Sequence, residues 1–445
     1  MTANPTPPPQ EVVSMELRYA ARVGFGAERF EAALGAGAQG SMGDVTSMLK
    51  TSATGPMEYL RAAIAAAALN EWDFAKELVS KAGVQLSELE ASLEPPTDAE
   101  EAAVREQWFI DMRRDLEVVN EAVEQSSAEG ISDTELIRLE DRHGDFGLMV
   151  RIIGVPESDP LRQSFSDRGF RTLLSVVVMA GLAITAILVG SVLFIVALVL
   201  LLTGRVRPRL NIQRQWDHGR RTLLLEAFLL FLVSFVGVMV LSGVIEGASG
   251  LDLTIYLLWL LLLTPLWPLV RGMSWGDLHV ALGWHANGEG VGGVIKETAC
   301  GVVGYLAGLP IVLVGAAISI LLVVLTHSQP SHPAVSEAMN ADLKTAIKLF
   351  VLASLWAPIV EETVFRGLLY YNMRKWAHPL LSALAVAFLF AIIHPQGIAL
   401  VPALMGLAVV FALMREWRGS IIAPMVAHGM HNAFIITMVI LVFGT

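Results

Sequence analysis

Beyond Arg171 the chain is a succession of apolar runs, at 173–202, 223–244, 253–270, 300–325, 346–370, 380–394, 398–414 and 421–443. A bilayer core of ~30 Å is crossed by about 20 apolar residues in helical form. All eight runs meet or approach that length, and together they predict an all-α, polytopic membrane bundle of about eight spans. The first run is too short for two crossings and should tilt or protrude. Between the third and fourth runs, "SWGDLHVALGWHANGEG" is too polar to cross and is expected at the interface on its tryptophans.

The water-exposed part has a different character. Residues 1 to 165 hold 14 Lys+Arg and 29 Asp+Glu, and residues 166 to 445 hold 17 and 13, which together give the formal net charge of -11. So acidic a region repels phosphate, which argues against nucleic acid as a partner. The proline-rich stretch 1–10 reads as a disordered tail without the apolar core of a signal peptide. Residues 11–165 read as an acidic helical domain, in which 57–68 and 71–82 loosely resemble a helical repeat. A third helix opens after Pro95-Pro96 with Thr97 as its cap, and Val104, Trp108, Phe109, Met112, Leu116, Val119 and Val123 give it one apolar face. This domain is expected to recruit a protein partner or substrate, or to gate access. The transmembrane domain is assigned to 171–445. Cys300 is the one cysteine, so no disulfide and no cysteine-based metal site can form within the chain.

Basic residues in short loops set orientation. Arg205, Arg207, Arg209, Arg214, Arg220 and Arg221 follow the first span, and Arg271, Lys296, Arg374, Lys375, Arg415 and Arg418 fall in later loops on the same side, against Lys344 alone opposite. These loops are expected in the cytoplasm. The N-terminal domain is drawn both ways, because loop bias puts it outside whereas the missing signal, with Arg162, Arg168 and Arg171 flanking the first span, keeps it inside.

An ionisable residue within a span costs at least ~2.5 kcal/mol on insertion scales and marks a functional candidate. "LWAPIVEETVFRGLLYY" holds three, Glu361, Glu362 and Arg366. On an α-helix Glu362 and Arg366 are nearly eclipsed and can pair, while Glu361 is turned ~100° away and is left free to act as a base. The next span ends "AFLFAIIHPQG", with Phe390 and His394 four apart and Pro395 disfavouring further helix. The last contains "PMVAHGMHNAF", where His428 and Asn432 share a face and His431 lies ~60° round from His428. A carboxylate, two imidazoles and an amide donor are enough to add water to a peptide carbonyl. Each element alone has a plainer reading. Glu362–Arg366 fits a structural clamp, His394 fits a core histidine bonded to a carbonyl, His378 and His431 fit structural or interfacial roles, and Glu226 fits pairing with a nearby arginine. Their order on successive spans favours the catalytic reading.

With "EETVFR", "FAIIH" and "HGMHN", and "RGLLYY" after the first, the stretch 346–439 resembles the CPBP family of intramembrane endopeptidases, which includes CAAX prenyl proteases and bacteriocin-processing or self-immunity (Abi) proteins. The resemblance covers a little over a fifth of the chain. It implies a protease of the glutamate type in a bacterial cytoplasmic membrane, with Glu361 and His394 activating water, His428 and Asn432 holding the oxyanion, and Glu362 with Arg366 in support. "RGS" stands where family members often have Thr-Gly-Ser, and the serine pair often found before the second motif is missing; neither departure touches a catalytic position. No cofactor is expected, with zinc on Glu361, His394 and His428 as the alternative; the HExxH signature is absent. The implied substrate is a membrane-associated or lipidated protein or peptide. A proton-coupled transporter and a non-catalytic immunity or scaffold protein are the competing functions.

Overall fold

The computed structural model describes residues 15–34, 42–96, 98–210, 222–249, 254–287, 290–328, 333–339 and 341–443. The expected tail, Thr97, and the loop arginines Arg214, Arg220 and Arg221 lie outside these. Among the described residues the chain is helical and forms no strand. It divides into two compact units, Met1–Val178 with Leu441–Phe443, and Met179–Ile440.

The first unit contains α1 (Met15–Leu34), α2 (Met42–Ser52), α3 (Pro56–Ala68), α4 (Trp72–Ser92), α5 (Ala99–Gln125), α6 (Asp133–His143), α7 (Asp145–Val150) and the start of α8 (Pro160–Leu202). Ala62, Ala63, Ile64 and the four alanines that follow are fully buried, so α3 is the central helix and its small side chains let its neighbours approach closely. The cap of α5 is Asp98, one residue after the expected Thr97, and its carboxylate accepts from the Glu101 amide at 2.7 Å. Fully buried Asp115 on α5 is held by three donors from α6: Arg138, Arg142 at 2.7 Å and His143 at 3.2 Å. Burial pushes the His143 imidazole below its ordinary pKa, against the pull of Asp115.

The second unit continues through α9 (Leu223–Ile245), α10 (Leu257–Val270), α11 (Trp275–Leu282), α12 (Gly290–Thr326), α13 (Pro333–Met339), α14 (Leu343–Met373), α15 (Pro379–Ile392), α16 (Ile398–Arg418) and α17 (Ile422–Phe443). Six of these helices, α8, α9, α12, α14, α16 and α17, are long and apolar enough to cross a membrane. The other two expected spans are shorter apolar helices, α10 and α15. With 14 residues, α15 reaches only ~21 Å, less than a bilayer core. At 43 residues, α8 is ~65 Å long and must protrude, as its first apolar run implied.

Two elements depart from their sequence patterns. The span around Glu361 is α-helical only in part, since Leu352–Trp356 and Glu362–Tyr370 are π-helical. In the polar segment, α11 buries Leu278, Ala281 and Leu282, and Trp284 donates to the Thr363 hydroxyl at 2.9 Å, so this segment packs on α14 as well as exposing Trp275.

Close packing of α12 on α16 depends on glycine. A Cβ on Gly315 would stand 2.3 Å from the Pro402 carbonyl oxygen, and one on Gly308 would stand 2.3 Å from a Val410 methyl. Small residues at a helix interface are how membrane helices gain contact when lipid is as apolar as the partner. Gly315→Ala should therefore force the helices apart and cost about 1–3 kcal/mol. Gly237→Ala, with nothing within 4 Å, should cost nothing. Thermal unfolding of both variants in one detergent checks the contrast.

Candidate active site

Within α14 the chain passes from α to π register at Glu362, and the two adjacent carboxylates, about 100° apart round the helix, enter different neighbourhoods. Glu362 is fully buried. One of its oxygens, Oε1, accepts from Arg366 Nη1 at 2.9 Å and from His428 Nδ1 on α17 at 2.9 Å. Arg366 is equally buried; its Nη2 donates to the Ala408 carbonyl on α16 at 3.0 Å, and its guanidinium lies 4.9 Å from the Phe390 ring centroid and 5.2 Å from that of Phe411. The predicted clamp is present, and it reaches four helices. Phe411 also stacks on the His428 ring at 5.0 Å, which fixes the plane of the imidazole.

Glu361 faces the other way. Its Oε2 is 3.8 Å from His394 Nε2 and 3.8 Å from His428 Nε2, too far for direct hydrogen bonds and short enough for one small molecule to bridge all three. That oxygen is buried and accepts no hydrogen bond from a described residue. His394 does not sit on the helix as its spacing suggested. α15 ends at Ile392, and His394 stands in the following turn, from which its ring folds back so that Nδ1 lies 2.6 Å from the Phe390 carbonyl oxygen. A carbonyl only accepts, so Nδ1 carries the proton and Nε2 presents its lone pair to Glu361. On His428 the carboxylate of Glu362 likewise fixes Nδ1–H.

Asn432 is one turn beyond His428 on α17 and donates one N–H to the Ala353 carbonyl at 2.8 Å. Pro358 has no N–H to return to the turn before it, and in π register that turn's unpaired carbonyl is Ala353. Gly429 lets α17 come this close, because a Cβ there would be 2.7 Å from the Ser354 carbonyl oxygen. The second N–H of Asn432 is left for a ligand. His431 points elsewhere, with Nδ1 3.1 Å from the Tyr305 hydroxyl on α12. His378 caps α15, and Glu226 pairs with Arg271 at 2.6 Å. Sequence reasoning named all six central residues but not Phe390 O, Ala353 O, Tyr305 or the π turns. Pro358 inside an apolar span was the available signal for an unpaired carbonyl.

Two imidazoles and a carboxylate are donors that zinc accepts, and a tetrahedral site with bonds of ~2.0–2.1 Å sets them ~3.4 Å apart. The 3.8 Å separations are wider, and among the described residues no group of three or more His, Cys, Asp or Glu has the arrangement to hold a metal ion. With His431 turned to Tyr305, a further nitrogen ligand is not at hand.

A helical, multi-span membrane protein with two histidines converging on one glutamate, braced by a second glutamate and an arginine, is the class that fold and geometry define. Residues 343–434 match the family model described as Rce1-like, type II CAAX prenyl endopeptidase, so this segment is similar to the CAAX-type membrane proteases. No curated protein and no solved structure matches the chain.

Removing one partner of a buried ion pair leaves an uncompensated charge, at a cost of about 3–5 kcal/mol. Arg366→Met should lower stability by that amount, and adding Glu362→Gln should recover part of it. Thermal unfolding of the wild type, the two single variants and the double variant closes the cycle.

Proposed function

We propose that the protein hydrolyses a peptide bond of a membrane-associated or lipidated protein or peptide, with Glu361 as general base and without a metal. What carries this reading is the convergence of two imidazole Nε2 atoms on Glu361 Oε2, each at 3.8 Å. A water bridging the three gives its proton to Glu361 while His394 holds its orientation through a lone pair. The resulting hydroxide adds to the scissile carbonyl, and Glu361 returns the proton to the leaving amine.

The oxyanion formed by that addition needs donors. Asn432 supplies its second N–H. His428 donates from Nε2 when its ring is doubly protonated, and Glu362 on its Nδ1 is the counter-charge for that state. Arg366 and Glu362 thus act through His428 rather than on the substrate.

We further propose that the site opens to the cytoplasmic side of the membrane, in keeping with the basic loops. A proton-coupled transporter would also use buried carboxylates and histidines, but nothing in that function calls for an amide donor beside two imidazoles on one glutamate.

Glu361→Gln should reduce cleavage by roughly 10²–10⁴-fold while leaving the melting temperature unchanged, and Asn432→Ala should lower kcat by roughly 10²–10³-fold. The assay is a mass-spectrometric census of new protein N-termini in membranes from cells producing wild type or variant. Pretreating the wild type with a zinc chelator should leave its N-termini in place. Identical termini from wild type and Glu361→Gln would overturn the protease reading, and chelator-sensitive termini would overturn the metal-free mechanism.

A further inference from the structure

Between α4 and α5 of the first unit runs an open groove of about 610 Å³ that has no part in the chemistry above. Its floor is Val79, Gly83, Val84 and Leu116, and Glu88 and Glu117 stand on its rim, one from each helix. Gly83 leaves its part of the groove unfilled: a Cβ there would meet Leu116 Cδ2 at 3.4 Å, an ordinary contact, and nothing else within 4 Å. Val84 is 55% exposed, so the floor is an apolar strip left open to water.

The charge around the strip has one sign. Lys76, Lys81, Arg113 and Arg114, the cations on these two helices nearest the groove in sequence, are engaged by Glu124, Glu77, Glu90 and Glu135. Glu117 has no cationic partner among the described residues, and Glu88 receives only the neutral Gln85 amide at 2.7 Å. Residues 1 to 165 carry 29 acidic against 14 basic side chains, so the wider field is negative as well. Anionic lipid surfaces and nucleic acids are repelled by such a face. A helix with a narrow apolar stripe between rows of Lys and Arg is attracted to it, since its stripe covers the floor while its cations meet the rim.

We propose that the α4–α5 groove is a docking site for a cationic amphipathic helical segment of a protein or peptide partner. The inference does not depend on hydrolysis, and binding can be read in a Glu361→Gln background in which the partner would not be cut.

The full chain in neutral-lipid nanodiscs would be titrated into a fluorescently labelled 18-residue Leu/Lys amphipathic helix at physiological salt, with empty nanodiscs as the blank. Two control peptides are used: the same composition scrambled to destroy the stripe, and the same stripe with Glu in place of Lys. Saturable binding of the first peptide alone is expected. Gly83→Leu, which fills the groove, and Glu88→Lys with Glu117→Lys, which reverses the rim, should each weaken it roughly tenfold or more. Gly83→Leu exchanges a poor helix former for a good one and so keeps the test alive if the charge-reversed protein fails to fold. Equal binding of the scrambled peptide, binding of the Glu peptide, no saturable binding at all, or unchanged affinity in Gly83→Leu would each overturn the proposal.

Discussion

A single carboxylate oxygen, Oε1 of Glu362, organises the helices around the candidate active site. Placing a charge inside an apolar bundle is costly, and the cost is offset only where geometry supplies both counter-charge and hydrogen bonds. Here Arg366 and His428 reach the same oxygen at 2.9 Å each, and the remaining reach of Arg366 goes to the Ala408 carbonyl and the faces of Phe390 and Phe411. One buried anion thereby sets α14, α15, α16 and α17 in register. It also fixes the His428 tautomer, and with it the direction in which Nε2 points. The proposed general base, Glu361, is next in sequence, yet it is spared this role because adjacent residues stand about 100° apart round a helix.

That change of register follows from a constraint particular to lipid. In a bilayer, irregular backbone is tolerated only where neighbouring protein satisfies its polar groups. Pro358 removes an N–H from α14, and Asn432 answers the freed Ala353 carbonyl with half of its amide. The same side chain therefore stitches α17 to the π-helical stretch of α14 and keeps one donor in hand. Gly429 makes the approach feasible. Structural repair and the proposed oxyanion donor are two uses of one residue, which is why Asn432 can be held in place without any partner of its own kind.

Much of this was legible in the sequence. Charges in apolar runs identified Glu361, Glu362 and Arg366, four-residue spacings paired Glu362 with Arg366 and His428 with Asn432, and the order of the three motifs indicated the CAAX-protease-like segment. The plainer readings of Glu362–Arg366 as a clamp and of His394 as a histidine bonded to a carbonyl describe real contacts, and each leaves a second function open on the same side chain. What could not be read came from three-dimensional closure. A uniform 100° per residue does not anticipate π turns, Pro395 warned of a helix end without telling that His394 lies beyond it, and Tyr305 is 126 residues from the His431 it bonds. The count of spans had a similar limit, because α10 and α15 are apolar runs like their longer neighbours, and apolarity alone does not fix how long a helix is.

In the proposed mechanism Glu361 Oε2 and the two Nε2 atoms hold a water rather than a metal ion. An experimental density map at a resolution that orders solvent, recorded in neutral lipid without chelator and supplemented by anomalous scattering at the zinc edge, addresses it directly. The account predicts a peak about 2.6–3.2 Å from all three atoms with no anomalous signal. A peak about 2.0–2.1 Å from them with zinc anomalous signal, or rings turned so that the Nε2 atoms no longer face Glu361, would contradict it.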